Sequence, residues 1–127
     1  QLSDNREIMY FQLRDTAGRA DAFSSGTFVM ADGRTRHLNP GEVKLEILDR
    51  WKSPHSGAEY PSGWRLLVPS ENVDVIVIPH LRDQELQVSI RYWEGAVGVQ
   101  GTSGGQRVTG NGYVEMTGYG KQKKPVR

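Results

Sequence analysis

The amino-acid sequence predicts an all-β protein folded as a single domain, and three observations favour this class. First, the 127 residues include 15 glycines and only six alanines, which disfavours helices, while 23 valines, isoleucines and threonines favour strands. Second, several segments alternate apolar and polar residues with a period of two. Third, turns rich in glycine and proline separate these segments. Together they predict about eight or nine antiparallel strands in a closed barrel or a sandwich.

The first third of the chain predicts three strands. Residues 7–14 alternate, with Met9, Phe11 and Leu13 on one face. Residues 16–26 lack an apolar period and predict an irregular connection. Residues 26–30 and 35–38 flank an Asp32-Gly33 pair, which predicts a hairpin.

The middle of the chain predicts three more strands. Val43, Leu45 and Ile47 alternate with charged residues, so residues 42–51 are predicted to form one half-buried strand. Residues 52–63 contain two prolines and two glycines and predict a long loop. Residues 64–68 and 73–78 predict two strands joined by a short turn. The second is apolar on both faces apart from Asp74, so we expect it to be covered on both sides.

Residues 86–101 and 106–119 predict a final hairpin, with residues 102–105 as its loop. In that register Tyr92 lies opposite Glu115. The apolar positions change parity at Gly95, which predicts a β-bulge there. Such a bulge would bring Glu94 close to Glu115 and leaves open which face of the sheet Glu94 occupies.

Composition argues against several classes of function. The chain has no cysteine, which excludes disulfides, thiolate metal ligands and thiol nucleophiles. The histidines at 37, 55 and 80 lie too far apart in sequence to suggest a metal site, and no cofactor motif is present. Ser53 and Ser56 lie beside His55, but the chain lacks the nucleophile-elbow motif of serine hydrolases. No apolar run approaches the ~20 residues of a membrane span, and a net charge of +1 is too small to suggest nucleic acid.

The two ends of the chain differ from its middle. Four basic residues lie within residues 121–127, and without them residues 1–120 carry 12 basic and 15 acidic side chains. We therefore expect a domain over residues 1–120, followed by a solvated, disordered basic tail; a polybasic binding arm is the alternative. The chain starts at Gln1 with neither methionine nor signal peptide, so we expect a fragment or a processed chain.

Three segments, in their order and spacing, resemble a known family. They are residues 51–64 (WKSPHSGAEYPSGW), residues 83–97 with DQEL and YWEGAV, and residues 110–119 (GNGYVEMTGY). They resemble the C-terminal part of AttH-type proteins and carotenoid 1,2-hydratases (hydroxyneurosporene synthases), and residues 2–14 resemble the first strands of that part. The resemblance implies a lipocalin-like β-barrel, an N-terminal lipocalin-like domain as its partner, and a secreted or periplasmic location.

The resemblance also implies three candidate functions. The first is half of an enzyme that hydrates a carbon–carbon double bond of an apolar isoprenoid, carotenoid or lipid-like ligand, as a carotenoid 1,2-hydratase-like lyase does. The second is binding of such a ligand without reaction, and the third is a structural half that supports the other domain. Fungal relatives include pericyclases, and members are often described as secreted hydrolases. No cofactor is implied.

Glu94 and Glu115 are the candidate catalytic residues. Protonating an alkene requires an acid kept away from water, and burial of a glutamate raises its pKa. Two carboxylates on one hairpin could act as general acid and base. The alternative for each is an ordinary structural role, either solvated or paired with Arg14, Arg65 or Arg91.

Aromatic residues in or beside the three segments are the candidate ligand-binding residues. Their ring faces could line an apolar pocket and stabilise a cation or a polyene. The alternative is packing in the core, where aromatic side chains are common. The candidate set is Trp51, Tyr60, Trp64, Tyr92, Trp93 and Tyr119, together with Arg14.

Overall fold

A computed structural model describes residues 1–89 and 91–119, without the side chain of Arg91, and confirms an antiparallel all-β fold. The predicted disorder of residues 121–127 concerns residues outside this part. No helix in the described ranges is long and apolar enough to cross a membrane. The described residues form eleven strands: β1 (Glu7–Phe11), β2 (Ser25–Val29), β3 (Thr35–Leu38), β4 (Lys44–Ile47), β5 (Arg50–Lys52), β6 (Glu59–Pro61), β7 (Trp64–Val68), β8 (Val73–Pro79), β9 (Glu85–Gln87), β10 (Arg91–Ser103) and β11 (Gln106–Thr117).

The main sheet has the order β11-β10-β8-β7-β4, and the short strand β9 pairs with the free end of β10. A second sheet, β1-β2-β3, contains the predicted hairpin of β2 and β3 and packs against the main sheet. Strands β5 and β6 form a two-stranded ribbon. The main sheet curls into half a barrel, and its concave face contains the core.

Two clusters of buried side chains fill this core. The aliphatic cluster consists of Leu2, Phe28, Leu38, Val43, Val68, Val73, Val75 and Val108. The aromatic cluster consists of Ala58, Tyr60, Trp64, Trp93, Val97 and Met116. Trp64 and Val68, at the two ends of β7, belong to different clusters, so the clusters lie at opposite ends of the main sheet.

Strand β1 turns its predicted apolar face outward. Ile8 and Tyr10 pack against the aliphatic cluster, whereas Met9 is 72% exposed and Phe11 52% exposed. The alternation therefore identifies the strand, but both of its faces carry apolar side chains.

The prediction of one strand over residues 42–51 is wrong. After β4 the chain bends at Leu48 and Asp49, and β5 leaves the main sheet to pair with β6. The Leu48 amide donates to the Gly63 carbonyl, and the Ser62 amide to the Asp49 carbonyl, each at 2.8 Å. Part of the expected loop over residues 52–63 is therefore a strand, because β5 and β6 need one another to satisfy their peptide groups.

Strand β8 is buried on one side only, contrary to expectation. Val73 and Val75 are buried in the concave face, while Ile76 is 36% and Ile78 is 49% exposed on the convex face. The described residues place no second layer over that convex face. The apolar run therefore does not mark a strand between two layers.

The prediction of a bulge at Gly95 is wrong, and the reason lies upstream. The chain reverses between Gln87 and Arg91, so β9 pairs with β10 and the change of parity reflects two separate strands. The final turn contains only Gly104 and Gly105, which shifts the register and pairs Glu94 directly with Glu115.

Gly95 has a different role, which is to admit a neighbouring side chain. A methyl group at this position would overlap the side-chain amide of Gln84. That amide accepts a hydrogen bond from the Ala96 amide at 3.0 Å and donates one to the Ala96 carbonyl at 3.2 Å. Gln84 thus takes the place of a strand between the ends of β8 and β9.

Candidate functional site

A concave cavity of about 750 Å³ lies between the main sheet and β1. Side chains that point inward from five strands of the main sheet form its floor, and β1 forms one wall. Strands β1 and β11 both line it, and among the described residues no ladder joins these two strands, which leaves a slit between them. The aliphatic lining consists of Leu2, Ile8, Leu45, Leu66, Val75, Val77, Val97, Val99 and Val114, with Met116 beside them.

The apolar floor follows directly from strand alternation. On β10, Val97 and Val99 point into the concavity, while Gln100 points away. Because antiparallel strands in register place opposite residues on the same face, neighbouring strands extend this apolar surface. The sequence carried this signal in its alternation, but no aliphatic residue stood out as a ligand contact.

Polar groups gather at the rim near the end of β11. The Arg14 guanidinium lies 3.7 Å from the centre of the Tyr119 ring and donates to the Thr117 carbonyl at 3.0 Å. Both Arg14 and Tyr119 line the cavity. A cation held over a ring at the mouth of an apolar cavity could orient a ligand that has one polar end.

Behind this rim the aromatic side chains form a ladder. The Tyr119 ring centre lies 5.7 Å from that of Tyr60, and Tyr60 stacks with Trp51 at 6.2 Å. Trp93 is 1% exposed, and its Nε1–H donates to the Arg82 carbonyl at 2.8 Å. These contacts are those of core packing.

The predicted ligand-binding residues therefore divide into three groups. Arg14, Trp64 and Tyr119 line the cavity. Trp51, Tyr60 and Trp93 pack in or against the aromatic cluster, outside the cavity lining. Tyr92 follows the opposite parity to Trp93 on β10, so it lies on the convex side.

Glu85 is a polar centre that the sequence did not single out. Its carboxylate accepts hydrogen bonds from the hydroxyls of Ser53 (2.7 Å), Ser56 (2.6 Å) and Tyr60 (2.6 Å). Ser53 and Tyr60 are almost fully buried. The family resemblance offered a signal for this centre, because all four residues lie in two of its segments, 51–64 and 83–97.

The Glu85 centre contains the two serines that the sequence analysis considered as nucleophiles of a hydrolase. Both serine hydroxyls donate to Glu85, and the His55 ring pairs with Asp83, Nε2 to Oδ2, at 3.2 Å. The three residues that resembled a nucleophile and base are therefore engaged elsewhere. Among the described residues, no three acidic or histidine side chains are grouped as metal ligands would be.

Glu94 and Glu115 lie opposite one another on β10 and β11. Their parity is the reverse of the buried Trp93 and Met116, so both side chains lie on the convex side. Tyr113 donates its hydroxyl to Glu94 Oε1 at 2.8 Å, and this hydrogen bond to a carboxylate raises the pKa of Tyr113. Glu115 is exposed at the edge of the slit. Neither carboxylate is kept dry inside the cavity.

Charged groups close the other end of the half-barrel. Arg6 pairs with Asp4 and Glu71, donates to the Ser103 hydroxyl and lies 4.9 Å from the Phe28 ring centre. Although burial acts to raise it, the pKa of Asp4 is lowered, because Ser103 and Arg6 donate hydrogen bonds to its carboxylate. Unlike the slit, this end is held shut by contacts between the beginning and the last hairpin of the chain.

Comparison with known proteins identifies the relatives of this chain. The model of the AttH-like family matches residues 1–119. A crystal structure of an AttH protein from Nitrosomonas europaea superimposes with a TM-score of 0.80 and 32% identity, covering 94% of this chain and 36% of that one. Kievitone hydratase from Nectria haematococca gives a TM-score of 0.70 at 20% identity, covering 87% of this chain and 34% of that one.

These matches confirm the predicted lipocalin-like fold and show how much of the solved structures this chain covers. The chain spans about a third of the length of the two solved structures. At 20% identity, the likeness to kievitone hydratase shows the fold alone. No protein of curated function matches the chain.

Proposed function

The chain belongs to the AttH-like family, and on this premise we propose that it binds an apolar small molecule in the cavity between its two sheets. The observation that carries the proposal is the cavity of about 750 Å³ with its aliphatic lining. Ligand sites in proteins commonly have volumes of roughly 300–1,000 Å³, with mostly apolar walls and a few polar groups. Arg14 and Tyr119 supply such polar groups at the rim.

The hydrophobic effect would provide most of the affinity. Removing apolar ligand surface from water contributes about 25 cal/mol per Å². The wall is built from strands in a continuous ladder, so the site is largely formed before the ligand arrives. The isoprenoid, carotenoid or lipid-like identity of the ligand rests on the family resemblance.

We further propose that the chain acts as one part of a longer protein. It spans about a third of the length of its solved relatives, and the resemblance implies an N-terminal lipocalin-like domain as its partner. The open slit beside the cavity supports a site completed by further polypeptide. A secreted or periplasmic location stays a prediction from the resemblance.

The test uses N-phenyl-1-naphthylamine, whose fluorescence rises in apolar sites. We expect saturable binding to the chain and at least a tenfold loss of affinity in Val114→Trp, since the larger side chain would fill the cavity beside Met116. Ile78→Trp, which adds the same ring on the convex face, is the matched control and should bind normally. Equal binding by both variants, or none by the wild type, would remove the proposal. Circular dichroism checks that both variants fold.

Hydration of a double bond by Glu94 and Glu115 is the second candidate, and the geometry supports it less. The position of Glu115 at the slit is the observation in its favour. Against it, both carboxylates lie on the convex side, where water has access to Glu115. Glu94→Gln in the longer protein, with turnover of an identified alkene as the readout, tests this role; unchanged turnover would exclude it.

A further inference from the structure

The slit between β1 and β11 has the geometry of a place for one more strand. At one end Leu2 bridges Gly110, and the Gln1 side chain donates to Glu7 at the start of β1. At the other end Arg14 reaches Thr117. Strands β1 and β11 therefore run in the same direction on the two sides of the slit. A strand between them would run opposite to both, as neighbours in an antiparallel barrel do.

Residues 1–3 already occupy the first part of this position. The Ser3 amide donates to the Thr109 carbonyl at 2.7 Å, and the Asn111 amide donates to the Gln1 carbonyl at 3.1 Å. The bridge at Leu2 is antiparallel, and the Leu2 amide bonds on its other side to the Arg6 carbonyl at 2.9 Å. A methyl group at Gly110 would overlap the Gln1 carbonyl, so this glycine permits the close approach.

Between Asn111 and Thr117, the edge of β11 is open among the described residues. Asn111 directs both of its peptide groups at Gln1, and peptide groups alternate along a strand. Those of Tyr113 and Glu115 therefore point into the slit as well. The opposite strand agrees, because the peptide groups of Ala96, which faces Tyr113, point away toward His80 and Gln84.

The edge of β1 repeats this arrangement. The Arg6 carbonyl points into the slit, so by alternation the peptide groups of Ile8 and Tyr10 do also. Exposed strand edges of this kind are normally covered in native proteins. Met9 and Tyr113, which are 72% and 64% exposed, flank the slit on the convex side. An added strand would shield these side chains from water on one face and the aliphatic lining on the other.

We propose that an extended segment of polypeptide from outside these 127 residues fills the slit, in line with Gln1 and antiparallel to β1 and β11. Its inward positions would share the face of the buried Leu2 and would be apolar. Further polypeptide is expected to supply this strand, because this chain covers only 36% of a solved relative. The proposal concerns the backbone of the barrel and does not depend on the proposed ligand, although the strand would turn the open cavity into an enclosed one.

Amide hydrogen exchange by NMR tests this pairing on the chain itself. A probe of six residues, Thr-Val-Thr-Val-Thr-Val, is added before Gln1, which places its valines on the inward face of Leu2. We expect the amides of Tyr113 and Glu115 to exchange about 100-fold more slowly than in the unextended chain, because they gain partners. Val114 and Met116, whose amides point toward β10, serve as internal references.

The matched control is Pro-Val-Pro-Val-Pro-Val, which has the same valines but lacks the amide protons that would face β11. Equal exchange of Tyr113 and Glu115 in both extended chains would overturn the proposal. Protection that rises with the concentration of the unextended chain would also overturn it, since a second copy would then occupy the slit.

A cross-link gives a second readout that does not depend on exchange rates. The chain has no cysteine, so a single introduced pair is unambiguous. With Glu115→Cys, a cysteine four residues before Gln1 would lie directly opposite and on the same face, and we expect it to form a disulfide. A cysteine three residues before Gln1 would face the cavity and should stay reduced. Equal oxidation of the two pairs would contradict the register.

Discussion

The aliphatic and aromatic clusters lie at opposite ends of the same strands, yet different polar groups hold them in place. Beside the aliphatic cluster, the guanidinium groups of Arg6 and Arg36 bind carboxylates. Beside the aromatic cluster, the carboxylate of Glu85 accepts hydrogen bonds from three hydroxyls. One end depends on ion pairs and the other on a charged acceptor with neutral donors.

This difference explains what each end does. The arginine network, which is Arg6 and Arg36 with their carboxylate partners, joins segments that are far apart in the chain, such as Arg6 with Ser103, and closes this end of the half-barrel. The Glu85 centre holds the segments 51–64 and 83–97 against each other beside the cavity. We expect the stability that the arginine network provides to depend on pH. We expect the stability that the Glu85 centre provides to fall when charge or volume is lost at single positions.

The largest effects should come from truncating the main side chain of each cluster. Trp93→Ala and Phe28→Ala each remove a fully buried ring, so each should lower the free energy of unfolding by about 3–5 kcal/mol. Urea denaturation measures both. Ile78→Ala, on the exposed convex face, is the control and should cost less than about 1 kcal/mol. A small cost at only one end would show that the two clusters are not one cooperative core.

The next effect separates the Glu85 centre from an ordinary surface carboxylate. Glu85→Gln keeps the size of the side chain but removes the charge that three hydroxyls face. Hydrogen bonds to charged groups contribute about 1.5–3 kcal/mol each, so we expect a total loss of roughly 2–3 kcal/mol after rearrangement. Glu94→Gln, on the convex side, is the matched control. Equal melting temperatures for the two variants would argue against a special role for Glu85.

A smaller effect should distinguish the arginine network by its pH dependence. The pKa of Asp4 is lowered from its ordinary value of 3.8, so its stabilising contribution is complete above that value and is lost as the pH falls through the lowered pKa. The pKa of Glu42 is lowered as well, by hydrogen bonds from the Asn39 amide and Arg36. Urea denaturation between pH 5 and about pH 3 should therefore show decreasing stability.

Asp4→Asn tests which group is responsible for this decrease. The variant should be less stable than the wild type at pH 7 and should lose less on acidification. Glu59→Gln, which removes an exposed carboxylate from β6, is the control and should follow the wild-type profile. Parallel profiles for all three proteins would show that Asp4 is not responsible for the acid sensitivity.

The smallest effect concerns the Glu94–Glu115 pair, which belongs to neither end. Like charges directly opposite on paired strands repel each other, so Glu115→Gln should stabilise the protein by up to about 0.5 kcal/mol. The gain should shrink in 1 M salt, where screening is strong. Thermal denaturation at low and high salt measures it. Destabilisation would mean that Glu115 has a structural partner.

Sequence reasoning succeeded where signals were local. The Asp32-Gly33 turn predicted the hairpin of β2 and β3, and the short turn after residue 68 predicted the two strands β7 and β8. It failed where two strands followed one another without a strong turn signal, as in β9 and β10. Period-two alternation continues through such a reversal, and a false bulge at Gly95 was the result.

The candidate site was predicted in part for a similar reason. Arg14, Trp64 and Tyr119 line the cavity, and their contact with a ligand stays a prediction. Glu85 was missed because its hydroxyl donors lie 25 to 32 residues away in the chain. Only the folded arrangement brings these groups together, and periodicity along the strands does not reveal contacts between such distant residues.

The seam between the two ends of the chain also has a kinetic consequence. Gln1 and Asn111 are 110 positions apart, and Arg14 and Thr117 are 103 apart, yet both pairs are in contact. Closing such long loops costs entropy before any contact repays it. Proteins dominated by distant pairings fold in milliseconds to seconds rather than microseconds. We therefore expect this domain to be a slow folder whose final step joins its beginning to its last hairpin.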